Sequence, residues 1–376
     1  MEKIKILFLA DSNSPHTLRW VKSISDLNYE VGIFSIHRIN KDLYKDHPQI
    51  KLFSLDVSRE IQSKSELNVT KLVYLLSVKK IKKVIKEFQP DILHAHYASS
   101  YGLLGALSGF HPFIVSLWGG DIFSFPGKSI IHKSILKFVL EKADKILSTS
   151  KIMQAEAKKY SNKDITLTPF GIDINRFYPK KVNSLFHSDD IVIGTVKTLE
   201  ERYGIEYLIK GFHLVKKKFS ALPLKLLIVG GGTQLKDLTA LTRNLNLQDD
   251  AIFTGFVDHD KIQDYHNMLD VYVAVSLEES FGVAVLEASA CSKPVIVSNV
   301  GGLPEVVDDG VTGFIVDSKN AEAVSEALEK LIYNSHLRTE MGINGRNKVI
   351  KEYNWNDSVS KMNYVYREVF QNYETC

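Results

Sequence analysis

The sequence predicts an α/β protein built from two doubly wound, Rossmann-like domains, and three observations carry that prediction. Short apolar strands alternate with amphipathic helices from the start of the chain, the pattern of parallel sheets covered on both faces. The alternation breaks at one aperiodic segment and then begins again. The chain, at 376 residues, also exceeds the size at which a single core stops growing.

The first set opens with Lys5–Ala10 (KILFLA), an apolar run ending at the polar loop Asp11–Pro15. His16–Leu27 follows with Leu18, Val21, Ile24 and Leu27 at helical spacing, and Asn28 reads as its stop. Val31–Ile36 is a strand, Val69–Phe88 a helix, Asp91–His96 (DILHAH) a strand, Gly102–Leu107 a helix and Phe113–Leu117 a strand. Ile130–Ala143 and Ile152–Tyr160 read as helices around the short strand Lys145–Ser148, and Ile165–Pro169 as a strand edge. Phe170–Asn183 has Gly, Pro, polar residues and no periodicity, so it reads as the connector. The second set runs through strands at Ile191–Val196, Leu224–Val229, Ala251–Gly255 and Val271–Val275. Helices at Ile205–Lys218, Leu235–Asn244, His259–Met268 and Ala321–Tyr333 alternate with them, and Trp355–Tyr373 is an amphipathic tail. The expected domains are residues 1–182 and 183–355, with a helix at about 356–376 packing back on the first. Open α/β sheets bind ligands at the carboxyl ends of their strands, so two facing edges would form a central cleft for two substrates.

Composition is that of a globular protein, 44% hydrophobic and 24% charged, with no apolar run long enough to span a bilayer. The opening MEKIKILFLAD reads as a buried strand and not as a signal peptide. Two cysteines, Cys291 and Cys376, imply neither a disulfide framework nor a zinc site, which fits the cytoplasm. Charge is uneven. Residues 1–182 hold 28 basic and 17 acidic residues, whereas residues 183–376 hold 19 and 27. The basic half suits an anionic membrane surface or a phosphate-bearing acceptor, with solvated lysines as the plain alternative.

The densest chemistry lies in Ser276–Val316. Glu279 and Glu287 would sit roughly 12 Å apart on one continuous helix, too far to grip one small group. Phe281-Gly282 places the helix start between them, so a loop carboxylate and a helix carboxylate can hold different parts of one elongated ligand. Backbone N–H groups at about Phe281, Gly282, Val283 and Ala284 would offer an anion site at the helix start. Carboxylates accept well from sugar hydroxyls. Two ordinary surface glutamates are the plain alternative.

Glu279-Ser-Phe-Gly-Val-Ala-Val-Leu-Glu287, with Gly301-Gly302-Leu-Pro-Glu305 and Gly310-Val-Thr-Gly313, resembles the signature of the family 4 retaining glycosyltransferases of GT-B fold. Asp91–His96, Pro169–Asp173, Val229–Gly232, Phe253–Val257 and Asp270–Ser276 resemble further segments, so the likeness covers nearly the whole chain. It implies Glu287 at the ribose, Glu279 at the donor sugar, the Phe281–Ala284 amides at phosphate or sugar, and Val257 by the base. Relatives often place an arginine and a lysine on the diphosphate; in register those positions are Thr198 and Tyr203 here, and Lys197 and Arg202 each lie one residue earlier. Relatives also often carry His-Gly-x-Asp where this chain has Trp118-Gly119-Gly120-Asp121, which keeps the aspartate and loses the histidine. Asp121 therefore joins Glu279 and His16 as a candidate catalytic residue, and no general base is assigned.

His16, Arg19 and Trp20 follow the first strand, and an acceptor site with His16, Arg19, His96 and Asp121 is set against helix capping and packing there. His94 and His96 are read as alternating along a strand and facing opposite sides, a poor zinc pair, with His96 nearer the carboxyl end. Asp258-His259-Asp260 resembles a metal motif but reads as a helix cap. Gly230–Gly232 is a weak phosphate-loop signal that a tight turn also explains. Lys79, Lys80, Lys82, Lys83 and Lys86 share a helix with Leu72, Leu75, Leu76 and Ile85, either a solvated face or a membrane-surface helix.

The expectation is a retaining, metal-independent glycosyltransferase without a cofactor. It moves a hexosyl-type sugar from a nucleotide-diphosphate donor to a hydroxyl acceptor, with a lipid-linked glycan of surface polysaccharide or lipopolysaccharide synthesis as the acceptor class. It would work in the cytoplasm, at the inner face of the membrane, without nucleic acid. The alternatives are a nucleotide-sugar epimerase of the same fold or a non-catalytic nucleotide-sugar binder.

Overall fold

The computed structural model describes residues 3–57 and 67–374. It divides into two compact units, one running to Pro169 and resuming at Ser358, the other spanning Phe170–Asp357.

The first unit holds one parallel sheet of strands β1 (Lys5–Leu9), β2 (Glu30–His37), β3 (Lys51–Val57), β4 (Ile92–His96), β5 (Phe113–Leu117), β6 (Lys145–Ser148) and β7 (Ile165–Leu167). Their order is β3-β2-β1-β4-β5-β6-β7, so the winding reverses between β1 and β4. Helices α1 (Pro15–Ser25), α2 (Leu67–Phe88), α3 (Gly102–Ser108), α4 (Gly120–Phe123), α5 (Ile130–Lys142) and α6 (Lys151–Ala157) fall between the strands. Central strands are buried along their whole length because helices cover both faces, which is why they read as unbroken apolar runs. Strand β3 escaped the sequence reading. It is an edge strand with no fully buried residue, so its apolar run is diluted by Lys51, Ser54 and Asp56.

The second unit repeats the plan with β8 (Ile191–Val196), β9 (Leu224–Val229), β10 (Ala251–Phe253), β11 (Val271–Ala274), β12 (Val295–Ser298) and β13 (Gly313–Val316) in the order β10-β9-β8-β11-β12-β13. Its helices are α7 (Ile205–Lys218), α8 (Leu235–Asn244), α9 (Ile262–Met268), α10 (Val283–Ala290), α11 (Leu303–Val306), α12 (Ala321–Tyr333), α13 (Ser335–Glu352) and α14 (Trp355–Glu374), and α14 passes from this unit into the first. Here the reversal lies between β8 and β11.

The boundary falls at Pro169, ahead of the expected residue 182, because the supposed connector is packed. Phe170, Ile172 and Phe177 are buried, Ile172 bridges to Asn354, and a side chain at Gly171 would strike the Trp355 backbone at 2.5 Å. Phe170 and Phe281 pack edge to face at 6.2 Å. On α2, Lys79, Lys82, Lys83 and Lys86 are exposed while Ile81, Val84 and Phe88 enter the core. The side chains of Leu72 and Leu75 lie outside the described residues.

Candidate active site

In the second unit the loops after β8, β11 and β12 converge at the switch point. Helix α10 is short and strongly apolar, so most of it is buried; Val285, Leu286, Ala288, Ser289 and Ala290 face inward. Val283, Ala284 and Glu287 stay partly open at spacings of one and four, which puts them on one face. Gly282 precedes the helix at φ +107°, and no side chain caps its first turn. The first amides of α10 therefore stand on the same open face as the Glu287 carboxylate, a ready anion site.

The loop carrying Glu279 is clamped from behind. Its carbonyl accepts from Gly302 N–H at 3.0 Å, and Gly301 sits at φ +55° so close that an added Cβ would lie 1.7 Å from that oxygen. From the other side the Arg202 carbonyl accepts from Leu277 and Glu278 N–H at 2.7 and 3.1 Å. Between these clamps Lys197 Nζ donates to Glu279 Oε2 at 2.5 Å, with side chains only 16% and 12% exposed. Lys197 Nζ also stands 4.3 Å from the Tyr203 ring centre, and the Arg202 guanidinium carbon stands 4.9 Å from it. Lys197 thus meets the Glu279 carboxylate over the Tyr203 ring. Arg202 is exposed, and its backbone makes the clearer contribution. Tyr203, which breaks the expected cation pattern, is the shelf on which both cations rest.

Sequence reasoning passed over His266. It is fully buried between Phe177 and Tyr272, and neither ring nitrogen has a hydrogen bond among the described residues. Its Nε2 stands 3.5 Å from Glu287 Oε2. A lone histidine inside a helical pattern gives no cue to such a placement.

Other expectations settle on the bland side. Gly230 takes φ +137° with its Cβ position 1.9 Å from the Lys197 carbonyl, and Gly232 packs likewise on Leu199, so these glycines permit close loop packing. Asp258 begins a 3₁₀ turn through its carbonyl, and its side chain caps nothing. Among the described residues no group of three or more His, Cys, Asp or Glu could hold a metal ion. Val257 is half-buried beside Phe256, which is exposed and lies against Gly231.

In the first unit, Asp121 is buried and fully engaged. Its Oδ2 accepts from Ala98 N–H at 2.9 Å, and Oδ1 from Trp118 and Gly119 N–H at 3.2 and 2.8 Å. Burial raises its pKa while those amides oppose the rise. It staples the loops after β4 and β5. His94 and His96 share one face, with ring centres 5.0 Å apart, because residues two apart in a strand point the same way. The expectation of opposite faces is therefore corrected. His94 is locked between Tyr366 and Ser116 hydroxyls at 2.7 and 2.8 Å, and burial pushes its pKa down to about 3. His96 is buried against Trp118, ring centres 4.1 Å apart, and its Nδ1 lies 3.3 Å from Thr17 Oγ1. Burial, then His94 and His16, hold it neutral. His96 thus backs the Trp118 ring.

Trp118, standing where relatives often carry histidine, has His96 behind it, Tyr97 edge-on at 5.3 Å and His16 edge-on at 6.2 Å. His16 is exposed near the start of α1, whose N-cap position is Ser14. Arg19 is half-buried one turn on. Tyr97 is partly exposed at φ +68°, an unusual backbone for tyrosine that points it off the end of β4.

The family described as glycosyl transferases group 1 matches residues 179–348, and the family described as glycosyl transferase 4-like matches residues 5–150. The chain is a group 1 glycosyltransferase. Among its relatives is N-acetyl-alpha-D-glucosaminyl L-malate synthase of Bacillus anthracis, 26% identical over 304 residues and 78% of each chain. A capsular polysaccharide biosynthesis glycosyltransferase of Staphylococcus aureus is 33% identical over 217 residues, 55% of this chain and 54% of that one. Sucrose-phosphate synthase of Thermosynechococcus elongatus superimposes with TM-score 0.83 over 98% of this chain and 100% of its own, at 21% identity. The fold of this glycosyltransferase is therefore GT-B, two Rossmann-like units as the sequence predicts. The epimerase alternative finds no support in these relatives.

Proposed function

We propose that this glycosyltransferase takes a sugar from a nucleotide-diphosphate donor and passes it, with retained anomeric configuration and without a metal or other cofactor, to a hydroxyl on a lipid-linked glycan. The observation that carries the donor half is the Lys197–Glu279 ion pair set beside the uncapped start of α10 and the Glu287 carboxylate. The arrangement supplies one cation and a helix terminus for a leaving diphosphate, and two carboxylates for hydroxyl groups. Glu287 holds the ribose and Glu279 the transferred sugar. Lys197 and the Phe281–Ala284 amides take the diphosphate, Arg202 adds charge from the surface, and Val257 lies by the base.

Glu279 is bound to Lys197 and is not posed as a free nucleophile. Retention then follows from front-face attack. The acceptor oxygen joins the anomeric carbon on the face from which the diphosphate departs, and the leaving oxygen takes the acceptor proton. The protein contributes placement and stabilisation of the leaving charge. His16 and Arg19 serve the acceptor side beside Trp118, whereas Asp121 and His96 hold that edge in shape. Among the described residues no helix is long and apolar enough to cross a membrane. The location we propose is cytoplasmic, at the inner face of the membrane.

The test is calorimetric titration with nucleoside diphosphates and nucleotide-sugars, followed by transfer assays with any donor that binds. Glu279→Gln is expected to bind nucleoside diphosphate normally and to turn over at least about a hundredfold more slowly. Normal kcat/KM in that variant refutes the site. Donor binding without transfer to any of a broad panel of acceptors would favour the non-catalytic binder.

A further inference from the structure

We propose that the tip at the exposed first turn of α5, carrying Ile130 and Ile131 and preceded in sequence by exposed Phe123, is a docking surface for an anionic lipid bilayer. The inference rests on the lipid-linked acceptor proposed above and locates where the membrane would meet the chain. Ile130 and Ile131 are the first two residues of α5, and they are 75% and 66% exposed. Phe123, the last residue of α4, is exposed as well. Single exposed apolar residues are ordinary; three bulky ones within one short loop-and-helix segment are not.

The exposure is built in. Ser129 caps α5 by accepting from His132 N–H, while Leu136, Val139 and Leu140 anchor the helix in the core. The isoleucines therefore project from a firmly held first turn.

Charge selects the occupant. Lys133 and Lys137 follow Ile130 at three and seven residues, so they share its side of the helix, and Lys128 precedes it. All three are exposed, and none has an ion pair among the described residues. The first turn of α5 contains no acidic residue, so nothing there repels an anion and the helix start attracts one. Lys137 also borders a cavity of about 500 Å³ lined by Lys158, Lys159, Lys163 and Glu141, where Lys159 is paired with Glu156 and Lys163 donates to backbone carbonyls. An apolar protein partner would use the isoleucines and leave the lysine rim unmatched, whereas an anionic bilayer takes both. Among the described residues of α2, Leu76 is the one exposed large apolar side chain beside its lysines.

Placement gives the surface a purpose. Helix α4 follows Trp118-Gly119 directly at the carboxyl end of β5, so the tip adjoins the aromatic group assigned to the acceptor. A bilayer seated there brings a lipid-borne hydroxyl to that edge.

The test is flotation of the full chain with phosphatidylcholine vesicles and with vesicles that also contain phosphatidylglycerol. The unaltered chain is expected to float with the mixed vesicles, less so at high salt. Ile130→Ser with Ile131→Ser should lower the partition constant about tenfold or more, and Lys128→Gln with Lys133→Gln should lower it comparably at low salt. Lys79→Gln with Lys82→Gln on α2 should leave it unchanged. Melting temperatures equal to that of the unaltered chain would show that the variants fold. The proposal is overturned if the unaltered chain does not float, or if the double serine variant floats equally well. It is also overturned if light scattering shows a dimer that the serine changes dissociate, since a second copy would then cover the tip. Vesicle binding is read without donor or acceptor, so its failure is separate from any failure of the transfer reaction.

Discussion

Replacing Lys197 with methionine keeps the stem that packs on Tyr203 and deletes the charge. The lost partner sits 2.5 Å from Glu279 Oε2, and both side chains are mostly buried. Coulomb's law with an effective dielectric near 20 gives about 6–7 kcal/mol of gross attraction at that distance. Desolvation of the two ions offsets most of it, so removing one partner should destabilise the second unit by about 1–3 kcal/mol. For a domain of this size that is a fall of roughly 2–10 °C in melting temperature. The effect on donor binding is separate. A charge-assisted hydrogen bond to phosphate is worth about 1.5–3 kcal/mol, so affinity for a nucleoside diphosphate should drop about tenfold to a hundredfold, with the unphosphorylated nucleoside little affected. Calorimetry with nucleoside and nucleoside diphosphate, run alongside thermal melts, separates the two effects. A variant that melts lower but binds the diphosphate as before would refute the reasoning, because the ion pair would then serve the fold alone.

Two further outcomes follow from buried histidines. His266→Phe fills the same space but removes the ring nitrogen 3.5 Å from Glu287, and should raise the donor KM a few-fold with a smaller change in kcat; an unchanged KM would leave His266 as packing. His94 keeps its proton off down to about pH 3 in the fold, while an unfolded imidazole takes one near 6.5. Its contribution is therefore present above about pH 6.5 and is lost as pH falls from there toward 3, by about 1.4 kcal/mol per pH unit. Denaturant titrations across that range should show a shallower loss in His94→Gln, and equal slopes would refute the assignment.

How much of this was legible depends on what kind of signal each feature leaves. Strands buried on both faces, such as Ile92–His96 and Val271–Ala274, announce themselves as apolar runs. The edge strand Lys51–Val57 does not, because half-exposed positions admit polar residues. Glu279 and Glu287 were legible because a glycine turn and an apolar helix fix where each must sit. The structural part of Asp121 was not legible, because its neighbours in sequence do not reveal Ala98, whose N–H comes from another loop and takes one of its oxygens. Sequence offered Lys197 and Arg202 as alternative cations. That Lys197 lies on the Tyr203 ring and reaches Glu279 is a relation between loops that spacing alone does not encode. His94 and His96 show a different kind of miss, since the two-residue period of a strand was available and places them together.

The Gly301–Gly302 loop behind Glu279 bears on how this enzyme could be re-engineered. Any side chain at 301 collides with the Glu279 carbonyl, and any at 302 meets the Ser280 carbonyl at 2.5 Å. Those two positions are closed to variation while the loop keeps its shape. Freedom lies on the open rim, at exposed Thr198 and Phe256 and at half-buried Val257. Libraries aimed at a new donor should therefore diversify 198, 256 and 257 and hold 301 and 302 fixed, so that the rim varies against a wall that cannot move.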